Sequence, residues 1–544
     1  MNDIPETTLT RAANPLVGVR TQDIFAAAQL LIEHGLRHPV IAAAQYLGFL
    51  GELARIASGR SELAPAAQDK RFADPAWKES SAYRALAQTW LAWARALNRF
   101  VDECGMDKRD AERARFVVSL LVDAAAPTNS LAGNPAALKK LVDTGGASLA
   151  RGAENLVADL ARNGGLPAQV DARAFAVGKN LATTPGAVVY RSPVMELIHY
   201  RPASERVHAR PLLIVPPQIN KFYVFDLAPD KSIVQFALQG GLQTFAVSWK
   251  NPTRAESHFG LDTYVGALEE AADVMRGISG ADDINIWGAC SGGITTSALL
   301  SHLAARGSTK VNSATLAVCV LDMAAAQDTT AGMFVTPQTI VAAKSASQLA
   351  GVLEGQELAR MFAWMRPNDL VWNYWVNNYL MGNAPPAFDI LYWNCDSTRL
   401  SAKLHADFLD LIDSNPFVRD MRQVDLDAYV VAGLSDHITP WRGCYSTARL
   451  YGERTTFVLS NSGHIQSLLN PPGNPKSFFW SNAASEHTAD AWLQKASKQQ
   501  GSWWPHWLEW IKAHSGGLRE APAVLGNEVY LPLGAAPGSY VMEK

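Results

Sequence analysis

The sequence predicts an α/β fold: a mainly parallel sheet with helices on both faces, interrupted by an inserted lid and preceded by a helical N-terminal domain. Three observations predict it. Apolar residues recur at helical spacing through 1–182, and after Pro185 short β-branched runs alternate with long amphipathic stretches. The third is a glycine-flanked sharp turn, Gly288-Ala289-Cys290-Ser291-Gly292, placed between an apolar run and a helical one.

In the N-terminal domain, Leu86, Trp90, Trp93, Leu97 and Phe100 form one helical stripe. Ile24, Phe25, Leu30, Leu31 and Leu36 mark another helix, and turn-forming residues around Asp123–Asn129 separate such segments. The catalytic domain, 183–544, offers strands at Leu212–Val215, Thr244–Ser248, Ile284–Trp287, Thr315–Leu321, Tyr429–Ala432 and Thr456–Leu459. Helices are expected over Leu261–Ile278 and Gly292–Arg306. Between Leu321 and Tyr429 the alternation stops. A structureless loop of that length is improbable, so 323–426, which holds Trp364, Trp372, Trp375 and Trp393, is read as a lid over the C-terminal edge of the sheet.

Composition narrows the function. A net charge of −3 gives no general attraction to nucleic acid or anionic membrane. The first residues, Met1 to Glu6, do not read as a secretory signal, and no uninterrupted apolar run approaches a spanning helix. Five scattered cysteines fit a reducing cytoplasm. No metal-ligand spacing or phosphate-binding glycine loop occurs, so neither a metal nor a cofactor is predicted. The sixteen tryptophans point to large apolar surfaces or pockets beyond an ordinary core.

The chemistry is read from three loops. The turn at Gly288–Gly292 fits a nucleophile elbow, the mark of the α/β-hydrolase fold, with Cys290 in the usual serine place. Ser291, between Ala289 and Gly293, fits the same pattern one residue later and stays open as the nucleophile. The fold orders its partners as nucleophile, acid, histidine. Asp436 follows the Tyr429–Ala432 run and His464 follows the Thr456–Leu459 run, as that order requires. Asp436 alone would equally serve as a helix N-cap. His437, in the acid's own loop, is read as structural. The Ser291 N–H is one expected oxyanion donor, and the loop after Leu212–Val215 should supply the second, from Ile219 or Asn220.

At these loops the chain resembles the polyhydroxyalkanoate synthase family. Gly288–Gly293 is similar to that family's modified lipase box, Ala432–Trp441 to its acid loop, and Ser462–Gln466 to its histidine loop. The likeness continues through Pro216–Tyr223, Val247–Pro252, Arg366–Tyr374, Trp393–Thr398 and Arg71–Trp77, so it spans nearly the whole chain. Pro217–Asn220 and Asn470–Lys476 look more like the single-subunit type that uses medium-chain monomers, while Ser397–Ser401 departs from the usual proline there.

The resemblance implies an acyltransferase that polymerises (R)-3-hydroxyacyl-CoA through an acyl-cysteine and releases CoA. It also implies a homodimer, located in the cytoplasm at the surface of polyester granules. A cysteine suits that task. Thiolate attack on a thioester gives another thioester, so acyl-transfer potential survives for the next hydroxyl to use. Asp436 then either orients His464 or assists that hydroxyl, and Asp396 stands next as a candidate acid. The same Cys290, Asp436 and His464 set also suits a hydrolase, either a polyester depolymerase or a thioesterase.

Overall fold

The computed structural model describes residues 21–163, 165–322, 335–414 and 420–544, together with Leu16 and Pro416. The start of the expected lid, 323–334, and the segment Met1 to Glu6 lie outside the described residues.

Fifteen strands are present among the described residues. They are β1 (Gly186–Arg191), β2 (Met195–Tyr200), β3 (Arg206–His208), β4 (Leu212–Val215), β5 (Thr244–Trp249), β6 (Ile284–Ala289), β7 (Val311–Ala317), β8 (Val352–Leu353), β9 (Leu400–Ser401), β10 (Asp427–Gly433), β11 (Thr455–Ser460), β12 (Phe478–Ala483), β13 (Ser497–Gln500), β14 (Leu518–Glu520) and β15 (Gly534–Ala535). Eleven of them form one sheet in the order β13-β12-β11-β10-β7-β6-β4-β5-β2-β1-β15. The run from β5 to β11 is parallel, and both flanks are antiparallel.

This order fixes where a site can form. From β4 the chain crosses one way to β5, then returns past β4 to β6, β7, β10 and β11. Crossovers between parallel strands are right-handed, so the reversal puts the connecting helices on opposite faces and opens a crevice between β4 and β6. Those strands pair with Val215 opposite Gly288, which sets the loops after them side by side.

The central strands match the sequence reading because they are apolar on both faces: Leu212–Val215 and Val430–Ala432 are 0 % exposed. One strand differs. The expected Thr315–Leu321 is Val311–Ala317, and Val318 takes a φ of +47°. The buried run Val318–Leu321 prolongs the apolar pattern past the end of the ladder, so pattern alone set the boundary too late. Of the tryptophans, Trp287, Trp492, Trp503, Trp504 and Trp507 fill the core of this sheet rather than a surface or pocket.

By contacts the chain divides into two units, one of Arg173–Ala359 with Asp389–Lys544, the other of Gly18–Ala172 with Arg360–Phe388. The insertion is thus shared: 360–388 packs with the N-terminal helices. Asn368 bonds to Arg71 at 2.8 Å and to Asp123 at 2.7 Å, and the Tyr379 hydroxyl donates to Asp159 at 2.8 Å. Gly152 abuts the Tyr379 carbonyl so closely that no side chain fits there. The stripe residues Trp90, Trp93 and Leu97 lie on helix Ser81–Glu103 and pack against Val101, Ala114 and Val118.

One helix bears on the expected absence of a membrane span. The helix Pro39–Ala57 is long and apolar enough, by length and composition, to cross a membrane, and none of its residues is buried. Gln45, Glu52 and Arg55 interrupt it, which is why a search for an uninterrupted run passes over it. A single such helix is a weak sign of a membrane span.

Candidate active site

The elbow forms because β6 runs straight into helix Ser291–Ala305 with only Cys290 between them. Cys290 pays for the sharp reversal with a φ of +50°, a region that side chains rarely occupy outside functional sites. The residues two positions to either side of it must be glycine. A Cβ on Gly288 would lie 2.5 Å from the Thr296 hydroxyl, and one on Gly292 would lie 2.5 Å from the Pro216 carbonyl. The N–H of Ser291, at the first turn of the helix, has no acceptor within the helix and sits at its positive dipole end.

Cys290 differs from the other thiols nearby. It is half-buried, whereas Cys319 and Cys444 are fully buried, and burial pushes both of their thiols well above the ordinary range. Ser291 is placed differently from Cys290. Its hydroxyl accepts from the Gln218 N–H at 3.1 Å and is buried, so it ties the loop after β4 to the elbow.

Asp436 and His464 are brought together by the pairing of β10 with β11, in which Gly433 faces Ser460. The loops that follow are stitched by Leu434 N–H to Ser460 O at 2.8 Å and Ser435 N–H to Ser462 O at 3.2 Å. His464 Nδ1 lies 2.7 Å from Asp436 Oδ2, and both side chains are buried. Asp436 also accepts from the N–H groups of Ile438 and Thr439, at 2.8 and 2.9 Å, and from the Thr439 hydroxyl at 2.7 Å. It therefore caps a turn; the next helix, Trp441–Leu450, begins after Pro440.

The electrostatics follow from this geometry. Burial works to raise the Asp436 pKa, but the His464 charge and the converging donors outweigh it and hold the carboxyl below its usual value. Burial works to lower that of His464; the charge and hydrogen bond of Asp436, then the bond to Cys290, outweigh it and raise the ring to about 10. With Nδ1 committed to an ionised acceptor, Nε2 is the ring nitrogen left to exchange a proton with the Cys290 thiol. The arrangement can move a proton between sulfur and ring and hold the resulting imidazolium.

Ile219 lies in the loop after β4 and is buried, and its carbonyl accepts from the Thr398 N–H at 3.1 Å. Asp396 is engaged elsewhere: its carboxylate meets Lys221 Nζ at 3.0 Å and the Tyr223 hydroxyl at 2.9 Å. Sequence reasoning missed Thr439, which bonds to both Asp436 and His464, at 2.7 and 3.1 Å. Its signal was the Asp-x-x-Thr spacing of a side-chain-capped turn. Among the described residues no group of three or more His, Cys, Asp or Glu could hold a metal ion.

Comparison with known proteins agrees with the fold and with the resemblance. Residues 68–237 match the family described as poly-beta-hydroxybutyrate polymerase (PhaC) N-terminus, and residues 211–471 match that described as alpha/beta hydrolase fold. The chain is 50 % identical to poly(3-hydroxyalkanoate) polymerase 1 of Ectopseudomonas oleovorans, over 98 % of this chain and 97 % of that one. It is 49 % identical to polymerase 2 of the same organism, over 99 % and 98 %. Identity to the polymerase subunit PhaC of Cupriavidus necator is 39 %, over 90 % and 85 %. A likeness of this level, carried across both the helical and the sheet-forming regions, places the chain in the poly(3-hydroxyalkanoate) polymerase family.

Proposed function

We propose that the chain polymerises (R)-3-hydroxyacyl-CoA with Cys290 as nucleophile, His464 as proton carrier and Asp436 as its charged partner. The observation that carries this reading is the half-buried thiol at the elbow, close enough to shift the titration of a buried ring that is itself hydrogen-bonded to a buried carboxylate. His464 holds the proton that the thiol gives up, and the thiolate attacks the thioester carbonyl. The N–H groups of Ser291 and Ile219 receive the oxyanion. Collapse expels the CoA thiolate, which takes the proton back from His464. A 3-hydroxyl then attacks the acyl-cysteine, giving up its proton to His464 or, through it, to the Asp436 pair, and the ester forms as the thiolate leaves.

The chain is an acyltransferase by family. Medium-chain monomers are the proposed substrates, on the strength of the Pro217–Asn220 and Asn470–Lys476 stretches. We propose a helical domain 1–182 and a catalytic domain 183–544 with a 323–426 insertion, of which 360–388 is given over to the helical unit and the rest serves as a lid that keeps water from the acyl-enzyme. A homodimer at the granule surface in the cytoplasm completes the reading. Sedimentation of a fully active monomer would remove the dimer.

The test of function is product analysis with a series of 3-hydroxyacyl-CoA chain lengths. Polymer plus CoA is expected. Free hydroxy acid plus CoA would make the chain a hydrolase on the same residues.

A further inference from the structure

The loop after β4 must present a backbone N–H to the oxyanion, yet a loop peptide is free to rotate about its flanking bonds unless something holds it. On the elbow side the loop is anchored three times. Trp249 Nε1 donates to the Pro216 carbonyl at 2.9 Å, the Gln218 N–H donates to Ser291, and the Gln218 side chain donates to Thr295 at 2.9 Å. None of these fixes the peptides on either side of Ile219.

Those two peptides are gripped by one residue. The Thr398 hydroxyl donates to the Gln218 carbonyl at 2.6 Å, and the Thr398 N–H donates to the Ile219 carbonyl at 3.1 Å. In a trans peptide the carbonyl and the N–H that follows it point in opposite directions. Holding the Gln218 oxygen therefore aims the Ile219 N–H away from Thr398, and holding the Ile219 oxygen does the same for Asn220. We propose that Thr398 is a positioning residue for acyl transfer, which acts by orienting the Ile219 and Asn220 amides. This rests on the reading that Cys290 is acylated and that this loop supplies an oxyanion donor.

The segment around Thr398 is itself fixed. Asn220 and Ser397 form an antiparallel bridge, and the Arg399 N–H donates to Asn251 at 2.9 Å. Trp393 Nε1 donates to the Lys221 carbonyl at 2.7 Å, and Asp396 holds both Lys221 and Tyr223. Lys221 and Thr398 are only 6 % and 5 % exposed, so water does not compete for these bonds. A part-buried carboxylate and a buried ammonium outside the Asp436–His464 pair thus acquire a purpose: they keep Thr398 in register with the loop.

The experiment uses the full chain, (R)-3-hydroxydecanoyl-CoA as substrate and iodoacetamide as a probe of the thiol. Alkylation of Cys290 needs the thiolate but no oxyanion donor. Thr398→Val keeps the size and the N–H and removes only the hydroxyl. It is expected to lower kcat for CoA release about tenfold or more, with KM and the alkylation rate each within about twofold of wild type. Thr398→Ser, which keeps the donor, is expected to restore kcat to within about threefold. Should the valine variant not fold, Thr398→Cys, a weak donor of similar size, carries the same test. Wild-type kcat in the variant without the hydroxyl would overturn the proposal. So would alkylation that falls in step with kcat, because the elbow itself would then have moved. If alkylating Cys290 in the wild type left turnover intact, the nucleophile reading would fail instead, whatever the Thr398 variants show.

Discussion

In β10 and β11 the residues Ala428–Ala432 and Phe457–Leu459 are 0 % exposed, whereas Phe25, Ile32, Leu36, Val40, Tyr46 and Leu47 on the helices Thr21–Arg37 and Pro39–Ala57 are 62–80 % exposed. Both regions are rich in apolar side chains. The strands bury theirs because neighbouring strands and helices cover both faces, while the two helices leave theirs uncovered by the described residues. The comparison teaches that apolar sequence alone does not say where stability lies. In the sheet it holds the loops that carry Cys290, Asp436 and His464; on the helices it is left exposed by the described residues.

If the sheet carries the chemistry, the largest effects belong at its loops. Cys290→Ala is expected to abolish both CoA release and polymer formation while leaving circular dichroism unchanged, and Cys290→Ser to retain a trace at most. A live Cys290→Ala beside a dead Ser291→Ala would move the nucleophile by one residue.

Asp436→Asn comes next, with an expected loss of about 10²–10⁴ in rate. Rapid-quench counting of acyl groups divides its two roles. One acyl group loaded and then a stall means that Asp436 serves the incoming hydroxyl; loading and elongation falling together mean that it serves His464. Wild-type behaviour in both would exclude the residue.

Core truncation then separates sheet from helices. Leu459→Ala should cost about 2–5 kcal/mol in urea unfolding, while Leu47→Gln should stay within about 0.5 kcal/mol. Equal costs would mean that the helix face is covered after all.

The smallest and most gradual effect is that of pH. The folded His464 value of about 10 stands above its ordinary 6.5, so the stability its pairing contributes is whole below about 6.5 and is lost as pH rises through about 10. Asp436, held below 3.8, contributes above that value and loses its share as pH falls through its depressed pKa. The stability gap between wild type and Asp436→Asn should therefore narrow from about pH 7 to pH 10. A constant gap would show that the pair is not linked to pH in this window.

Much of this was legible in the sequence where local chemistry and topology agree. Ile284–Trp287 ends at a turn that only glycines allow, and the loops of Asp436 and His464 follow strands in the order that the fold demands. The antiparallel flanks were not legible. Met195–Tyr200 is wholly buried, yet Glu196 and His199 sit inside it, since Glu196 is satisfied by Arg191 on the neighbouring strand β1 and by Ser539 and Tyr540 from a distant part of the chain. Ser497–Gln500 is polar and exposed, and only the pairing with β12 makes it a strand. The division of the insertion depended on Arg71, Asp123 and Asp159 reaching residues more than two hundred positions away, as did the grip of Thr398 on a loop about 180 positions earlier. Partnerships of that range leave no periodic trace.

The positive φ of Cys290 has a consequence for anyone improving this enzyme. A side chain held there costs about 1–3 kcal/mol, and glycine would adopt the same backbone freely. Cys290→Gly is therefore expected to melt higher than Cys290→Ala, and it adds no bulk at a crowded turn. A campaign that ranks variants by melting temperature alone will favour glycine at the proposed nucleophile, so heat resistance and turnover must be selected together.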